Sequence, residues 1–171
     1  GLYGQANSAG FWGTNFKKSG FDGVIFEGIS PKPVYLITDE GKARLEDAGG
    51  LWGKSTSETT RLIKDELGER FRVACIGIAG ENLVKYASIM SEGGRAAGRM
   101  GLGAVMGSKR LKAIVAAGDT AVPVAKPDAI VKLARPAIKT MMEDFMVTCY
   151  RDMGTATGVG AAQEIADALQ H

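Results

Sequence analysis

Residues 95–112, RAAGRMGLGAVMGSKRLK, bring together Arg95, Arg99, four glycines and a basic end without one acidic residue. Glycines at 98, 101, 103 and 107 let a backbone approach a ligand closely and take up positive φ. Arg95, Arg99, Lys109, Arg110 and Lys112 offer donors that suit phosphate oxygens. The guest this stretch implies is an anion, and a phosphorylated one. Leu102 to Ser108 reads as a turn or two of helix leading into a strand at 111–117, LKAIVAA. A phosphate at the amino end of that helix would meet free N–H groups and the helix dipole.

The basic bias is local. The 171 residues carry 21 basic and 19 acidic side chains, a net charge of +2, which gives no global attraction to nucleic acid or anionic lipid. A hydrophobic content of 45% supplies one core and at most an appendage. The chain holds 24 glycines, about twice what average usage of about 7% gives. They cluster at the amino end and at 93–107, as two loops converging on a bulky group would. No apolar run reaches the roughly 18 residues of a membrane helix, and no signal peptide opens the chain, so a cytoplasmic setting is expected. Cys75 and Cys149 share no CxxC spacing; Cys75, within VACIG, reads as a small core residue.

In chain order, GLYGQANSAG (1–10) reads as a turn-rich loop and Phe11–Lys18 as a short amphipathic helix stopped by Gly20. VIFEG (24–28), PVYLIT (33–38) and KARLED (42–47) read as an antiparallel meander. Ser55 and Glu58 form a capping box for a helix through Leu67, with Leu62, Ile63 and Leu67 inward and Gly68 closing it. Strands are expected at 71–77 and 83–90, with IAGEN between them as a structural turn in which Glu81 and Asn82 cap backbone groups. The fold class is therefore α+β: a β-rich domain with short helices over 1–118, a linker at 119–127, and a helical segment over 128–171 in which Pro136 kinks or interrupts the first helix. GAVMGSK has neither the glycine spacing nor the Lys-Ser order of a P-loop, and GxGxxxG is too loose for a dinucleotide fingerprint.

RAAGRMGLGAVMGSKRLKAI, preceded by IGIAGENLVKYASIM, FEGISPKPVYL and LWGKSTSET, resembles the amino-terminal domain of the tungsten-containing aldehyde:ferredoxin oxidoreductases, collinearly over roughly residues 1–120. The resemblance implies a β-rich base beneath a tungsten (or molybdenum) bis-pterin cofactor whose phosphates are bridged by magnesium. It assigns cofactor contacts to Arg95, Ala96, Gly98 and Arg99, which match the family's RAAGR segment, and to Asn7, Ser8 and Ala9 in the second loop. Backbone carbonyls of Asn7 and Ala96 would hold the magnesium. The family often has glycine where Ala9 stands. Lys109 and the Gly107-Ser108 step belong to the same signature, with fixing the helix-to-strand turn their expected role.

The family's iron–sulfur cluster (4Fe-4S), ligated by a CxxCxxxC run and a distant cysteine, and its DxxGL pterin motifs have no counterpart in these residues. His171, the one histidine, is terminal and is given no role. The resemblance implies oxidation of aldehydes to carboxylic acids, with electrons passed to ferredoxin or an electron-transfer subunit. It implies the remaining domains of the same enzyme as partners, neither nucleic acid nor membrane, and is compatible with a homo-oligomer. No catalytic residue is assigned here, and the fragment alone is expected to be inactive. The alternatives are a tungsten enzyme of the same superfamily, such as an aromatic acyl-CoA reductase, and a non-catalytic phosphate- or nucleotide-binding module.

Overall fold

The apolar run after Pro33 folds as β1 (Val34–Asp39), and the DEG turn returns it as antiparallel β2 (Lys42–Asp47). Glu40 and Gly41 take φ 46 and 75 in that turn, the left-handed pair that suits a two-residue hairpin. The other strands are β3 (Arg72–Cys75), β4 (Ile89–Ser91), β5 (Arg95–Ala97) and β6 (Leu111–Ala117). All six join one mixed sheet in the order β2-β1-β6-β3-β4-β5, with β6 parallel to β1 and antiparallel to β3. These features come from a computed structural model that describes residues 3–92 and 94–169, so expectations for Gly1, Leu2 and His171 lie outside the described residues.

One core lies against helix α2 (Thr56–Leu67), whose Ile63 is fully buried against Tyr35, Ile37, Phe71, Val73, Ala113 and Val115, with Leu62 and Leu67 packed around it. Each such aliphatic burial contributes about 1.5–3 kcal/mol. Cys75 belongs to this core; burial pushes its thiol above the ordinary range, which keeps it inert. The capping box forms as the sequence predicts: Ser55 Oγ accepts the Glu58 N–H at 3.2 Å, and Glu58 Oε2 accepts the Ser55 N–H at 3.1 Å.

The Ser55 backbone N–H, followed by its hydroxyl, holds the Glu58 carboxyl below its usual pKa. A carboxyl whose folded pKa is depressed stabilises the fold above its unfolded pKa of about 4.3, and that stabilisation is lost as pH falls through the folded value. Ser55→Ala is expected to move the Glu58 titration, followed by NMR, upward toward that ordinary value and to lower stability near neutral pH, with the difference from the parent vanishing as pH falls through the folded value.

Helix α1 (Trp12–Lys18) is anchored where Trp12 Nε1 donates to Ile114 O at 3.0 Å and where Ser19 Oγ donates to Phe16 O at 2.7 Å. A Cβ on Gly118 would stand 2.3 Å from Lys18 O, so only glycine lets the end of β6 pass beneath this helix. Helices α3 (Ile78–Glu81) and α4 (Leu102–Ser108) meet the same way: a Cβ on Gly107 would lie 1.9 Å from Gly80 O, and one on Gly103 would lie 2.6 Å from Ser88 O. These two glycines serve close packing inside the domain and not the approach of a ligand.

Five expectations are corrected. Residues 24–28 have no regular structure and pair with no strand among the described residues; Phe26 packs on Ile76, Met106 and Leu111, while Ile25 is exposed, so the meander is only the β1–β2 hairpin. The run 83–90 keeps strand structure only from Ile89, because Leu83 takes φ 57 and Ala87 N–H turns back to Val84 O at 2.9 Å. IAGEN opens as the helical turn α3, and Arg95–Ala97 is an edge strand instead of loop. Finally, α5 (Pro127–Glu143) runs through Pro136, and the break comes at Asp144, whose extended backbone (ψ 132) and carboxylate, accepting the Val147 N–H at 3.1 Å, cap α6 (Phe145–Met153).

The chain divides into two compact units, Gly1–Val122 and Pro123–His171. The second consists of α5, α6, a 3-10 turn (Gly154–Thr157) and α7 (Gly158–Leu169). Among the described residues no helix is long and apolar enough to cross a membrane.

Candidate functional site

The β4–β5 edge of the sheet gathers the residues singled out above. Asn7, Ala96, Gly98 and Arg99, together with Gln5 and Ala6, line an open cleft of about 620 Å³. Ser8 and Ala9 line an adjoining recess of about 330 Å³ with Trp12, Ala74, Ile89 and Ile114, and Ala6 belongs to both. Ser8 Oγ lies 3.3 Å from Ser91 Oγ at the end of β4. Arg95 opens β5 opposite Ser91 and lines neither hollow, but its stem runs beside Gly10, where a Cβ would be 3.2 Å from Arg95 Cγ.

Local chemistry explains why this edge can take an anion. Residues 4–10 have no regular structure, and among the described residues none of their N–H groups finds a partner in the protein; the same is true of Gly98 and Arg99. Arg95 and Arg99 are exposed, and among the described residues neither lies within 4.0 Å of a carboxylate. Gly98 leaves room, with nothing nearer than 3.7 Å to an added Cβ. Free amides on both loops, two uncommitted guanidiniums and an open floor fit a phosphate group and its counter-ion. Among the described residues no cluster of His, Cys, Asp and Glu could hold a metal directly.

The basic end of the sequence motif is spent elsewhere. Lys112 is fully buried, pairs with Glu81 and donates to Lys54 O at 2.9 Å; Glu81 Oε2 also accepts the Gly53 N–H at 2.8 Å. The register shift between Val34 and Tyr35 leaves Lys112 with no partner on β1, and such a bulge re-aims the side chain. Lys109 Nζ donates to Gly28 O at 3.2 Å, and the Arg110 guanidinium donates to Ser30 O and Pro31 O. These two side chains pin the 28–31 loop. The amino end of α4 is also closed: the Gly103 N–H donates to Ala87 O at 2.9 Å, and a Cβ on Gly101 would meet Lys85 O at 2.0 Å.

Sequence reasoning passed over Glu92, whose Oε2 accepts the Phe11 N–H at 2.7 Å and so joins the two loops. Only its position three residues before Arg95 marked it, and that spacing says nothing of a contact with Phe11.

The family model for the aldehyde ferredoxin oxidoreductase N-terminal domain matches residues 1–118. The tungsten-containing aldehyde ferredoxin oxidoreductase of Thermococcus kodakarensis is 46% identical over 145 residues, covering 84% of this chain and 24% of the relative. The aliphatic sulfonate oxidoreductase WOR-like subunit of Pyrococcus furiosus is 34% identical over 160 residues, covering 85% and 25%. A solved structure of the active-site complex BamBC of benzoyl-coenzyme A reductase, in complex with 1,5-dienoyl-CoA, superimposes with a TM-score of 0.77 at 43% identity, covering 80% of this chain and 21% of that one. The chain thus spans about a quarter of the length of the relatives it matches. With a mixed six-stranded sheet, short helices and a family match over most of the first unit, the chain belongs to the aldehyde ferredoxin oxidoreductase family, whose N-terminal domain it carries.

Proposed function

We propose that this chain forms the phosphate-binding cradle of a tungsten (or molybdenum) bis-pterin cofactor in a larger oxidoreductase. The observation that carries the reading is the open cleft in which Asn7 from one loop, Ala96 from β5, and Gly98 and Arg99 just after it converge, with unpartnered N–H groups at 4–10, 98 and 99 among the described residues. Arg95 and Arg99 supply positive charge and forked N–H donors to pterin phosphates, and the free amides of the two loops add shorter-range donors. Ser8 and Ala9 form the margin of the site toward the apolar recess. The carbonyls of Asn7 and Ala96 are the ligands this chain would give to a magnesium ion between the phosphates. When bound, the cofactor supplies two-electron redox chemistry, while these residues bind it, orient it and compensate its charge.

In the whole enzyme the reaction would be conversion of an aldehyde and water to a carboxylate, three protons and two electrons, the electrons going to ferredoxin or an electron-transfer subunit; an iron–sulfur cluster (4Fe-4S) held by other parts of the enzyme would supply the electron path. The cluster ligands and the substrate pocket lie outside the described residues. The likeness to the BamBC structure favours a second reading on the same cradle, reduction of an aromatic acyl-CoA.

The test is elemental analysis of anaerobically purified native material for tungsten, molybdenum and iron, with the intact mass of every polypeptide present. Tungsten and iron in a fixed ratio are expected. Absence of all three from intact native material, with affinity for a simple phosphate ligand retained, would replace the cradle with a phosphate- or nucleotide-binding module.

A further inference from the structure

The two loops of the cleft are held together by a carboxylate that does not line it. Glu92 follows β4 directly and takes φ 49, a left-handed backbone that a non-glycine residue keeps only when its surroundings hold it there. Its Oε2 accepts the Phe11 N–H at 2.7 Å, just past the loop of unpaired amides. Gly10, at φ 100, passes directly under that oxygen: an added Cβ would stand 2.3 Å from Glu92 Oε2 and 3.2 Å from Arg95 Cγ. Glycine there lets the Asn7 loop, the carboxylate and the arginine stem share one small volume. The other oxygen, Oε1, faces Arg72 Nε of β3 at 3.9 Å; both atoms are buried without a hydrogen-bond partner among the described residues, and the Glu92 side chain is only 13% exposed.

We propose that Glu92 is the positioning residue of the cradle. Its carboxylate fixes the separation between the Asn7 loop and the Arg95–Arg99 segment, with Arg72 supplying the opposite charge from the sheet. A single negative group beside a site for anions would ordinarily weaken binding. Here it points at a backbone amide and an arginine inside the domain, and so shapes the site without entering it. This role rests on the cradle assignment above.

The experiment compares Glu92→Ala, Glu92→Gln, Gly10→Ala and Arg95→Ala in the holoenzyme, reading hydrogen exchange at the Phe11 amide with and without cofactor, and tungsten per chain after dialysis. Alanine and glutamine both keep a Cβ on the left-handed backbone, so their difference reports the side chain. Glutamine retains an oxygen at the same reach. Glu92→Ala is expected to speed Phe11 exchange about tenfold or more and to lower tungsten retention about fivefold, with Glu92→Gln within about threefold of the parent in both. Gly10→Ala, whose methyl takes the place of the carboxylate oxygen, is expected to give the same pair of changes, so the test does not depend on Glu92→Ala folding. Arg95→Ala should lose tungsten with Phe11 exchange unchanged.

Parental exchange in both Glu92→Ala and Gly10→Ala would overturn the tether. Faster exchange with parental tungsten content would overturn the positioning role while leaving the cradle intact. Full tungsten in Arg95→Ala would instead overturn the cradle, and this role with it, whatever the exchange shows.

Discussion

Replacing Arg95 and Arg99 together by alanine is expected to strip tungsten and pterin from the enzyme while leaving its fold in place. Both side chains are exposed, and among the described residues neither is committed to a carboxylate, so their loss removes little from folding; surface substitutions of this kind stay within about 0.5 kcal/mol. Their cost falls on the ligand. Each charge-assisted hydrogen bond to a phosphate contributes about 1.5–3 kcal/mol. One such loss weakens binding roughly 10- to 150-fold, and the pair compounds it to the degree that the two arginines act independently. Arg99 lines the cleft and Arg95 does not, so Arg99→Ala should be the more severe single variant. Lysine at either position keeps the charge but not the planar fork and should recover only part of the loss. The measurement is tungsten per chain beside an unfolding curve; unchanged tungsten in the double variant would remove the cradle.

Lys112→Met is expected to have the largest effect on stability in the first unit. It leaves the Glu81 carboxylate, whose side chain is 4% exposed, in the interior with the Gly53 N–H as its one remaining partner among the described residues. Removing one member of a buried ion pair costs about 3–5 kcal/mol. Lys54 O loses its donor in the same step. Changing both members, Lys112→Met with Glu81→Leu, should return the protein to within about 1 kcal/mol of the parent, because an apolar pair of similar volume avoids the desolvation that the ions suffer. Denaturant unfolding followed by the fluorescence of Trp12 and Trp52, the chain's two tryptophans, reads both variants. A Lys112→Met midpoint equal to the parent's would show that the pair is not buried in solution.

Local rules made part of this fold legible. Ser55, Glu58 and Gly68 announced α2 at both ends, and the apolar run LKAIVAA announced β6 with its bounds. Where tertiary contacts decide, the pattern failed. VIFEG has the composition of a strand, but Phe26 packs on Ile76, Met106 and Leu111 instead, and Lys109 and Arg110 hold the loop that follows. Arg95–Ala97 has the composition of a loop and becomes a strand because it completes the hairpin with β4.

The site divides along the same line. The glycine and arginine clusters did show where two loops meet. A lysine in a strand, however, looks the same on paper whether it faces a phosphate or a buried glutamate, and a bulge against β1 decided the matter for Lys112. Nor does spacing show that Gly103 and Gly107 are glycine for the sake of Ser88 and Gly80.

The place of β6 has a bearing on how the domain comes into being. It is the last strand in sequence and yet the one inserted between β1 and β3. While the chain is being made, the β1–β2 hairpin and the helix that follows it can form from local contacts, but the two halves of the sheet remain separate until Leu111–Ala117 has been synthesised. Until then β1 and β3 each show an unpaired apolar edge, the kind of surface that pairs with the wrong chain. Closing the sheet is therefore a late, long-range step, slow by the standard of local contacts. It also completes the sheet whose far edge carries Arg95, so the edge that would receive the cofactor gains its final support only when the domain is finished.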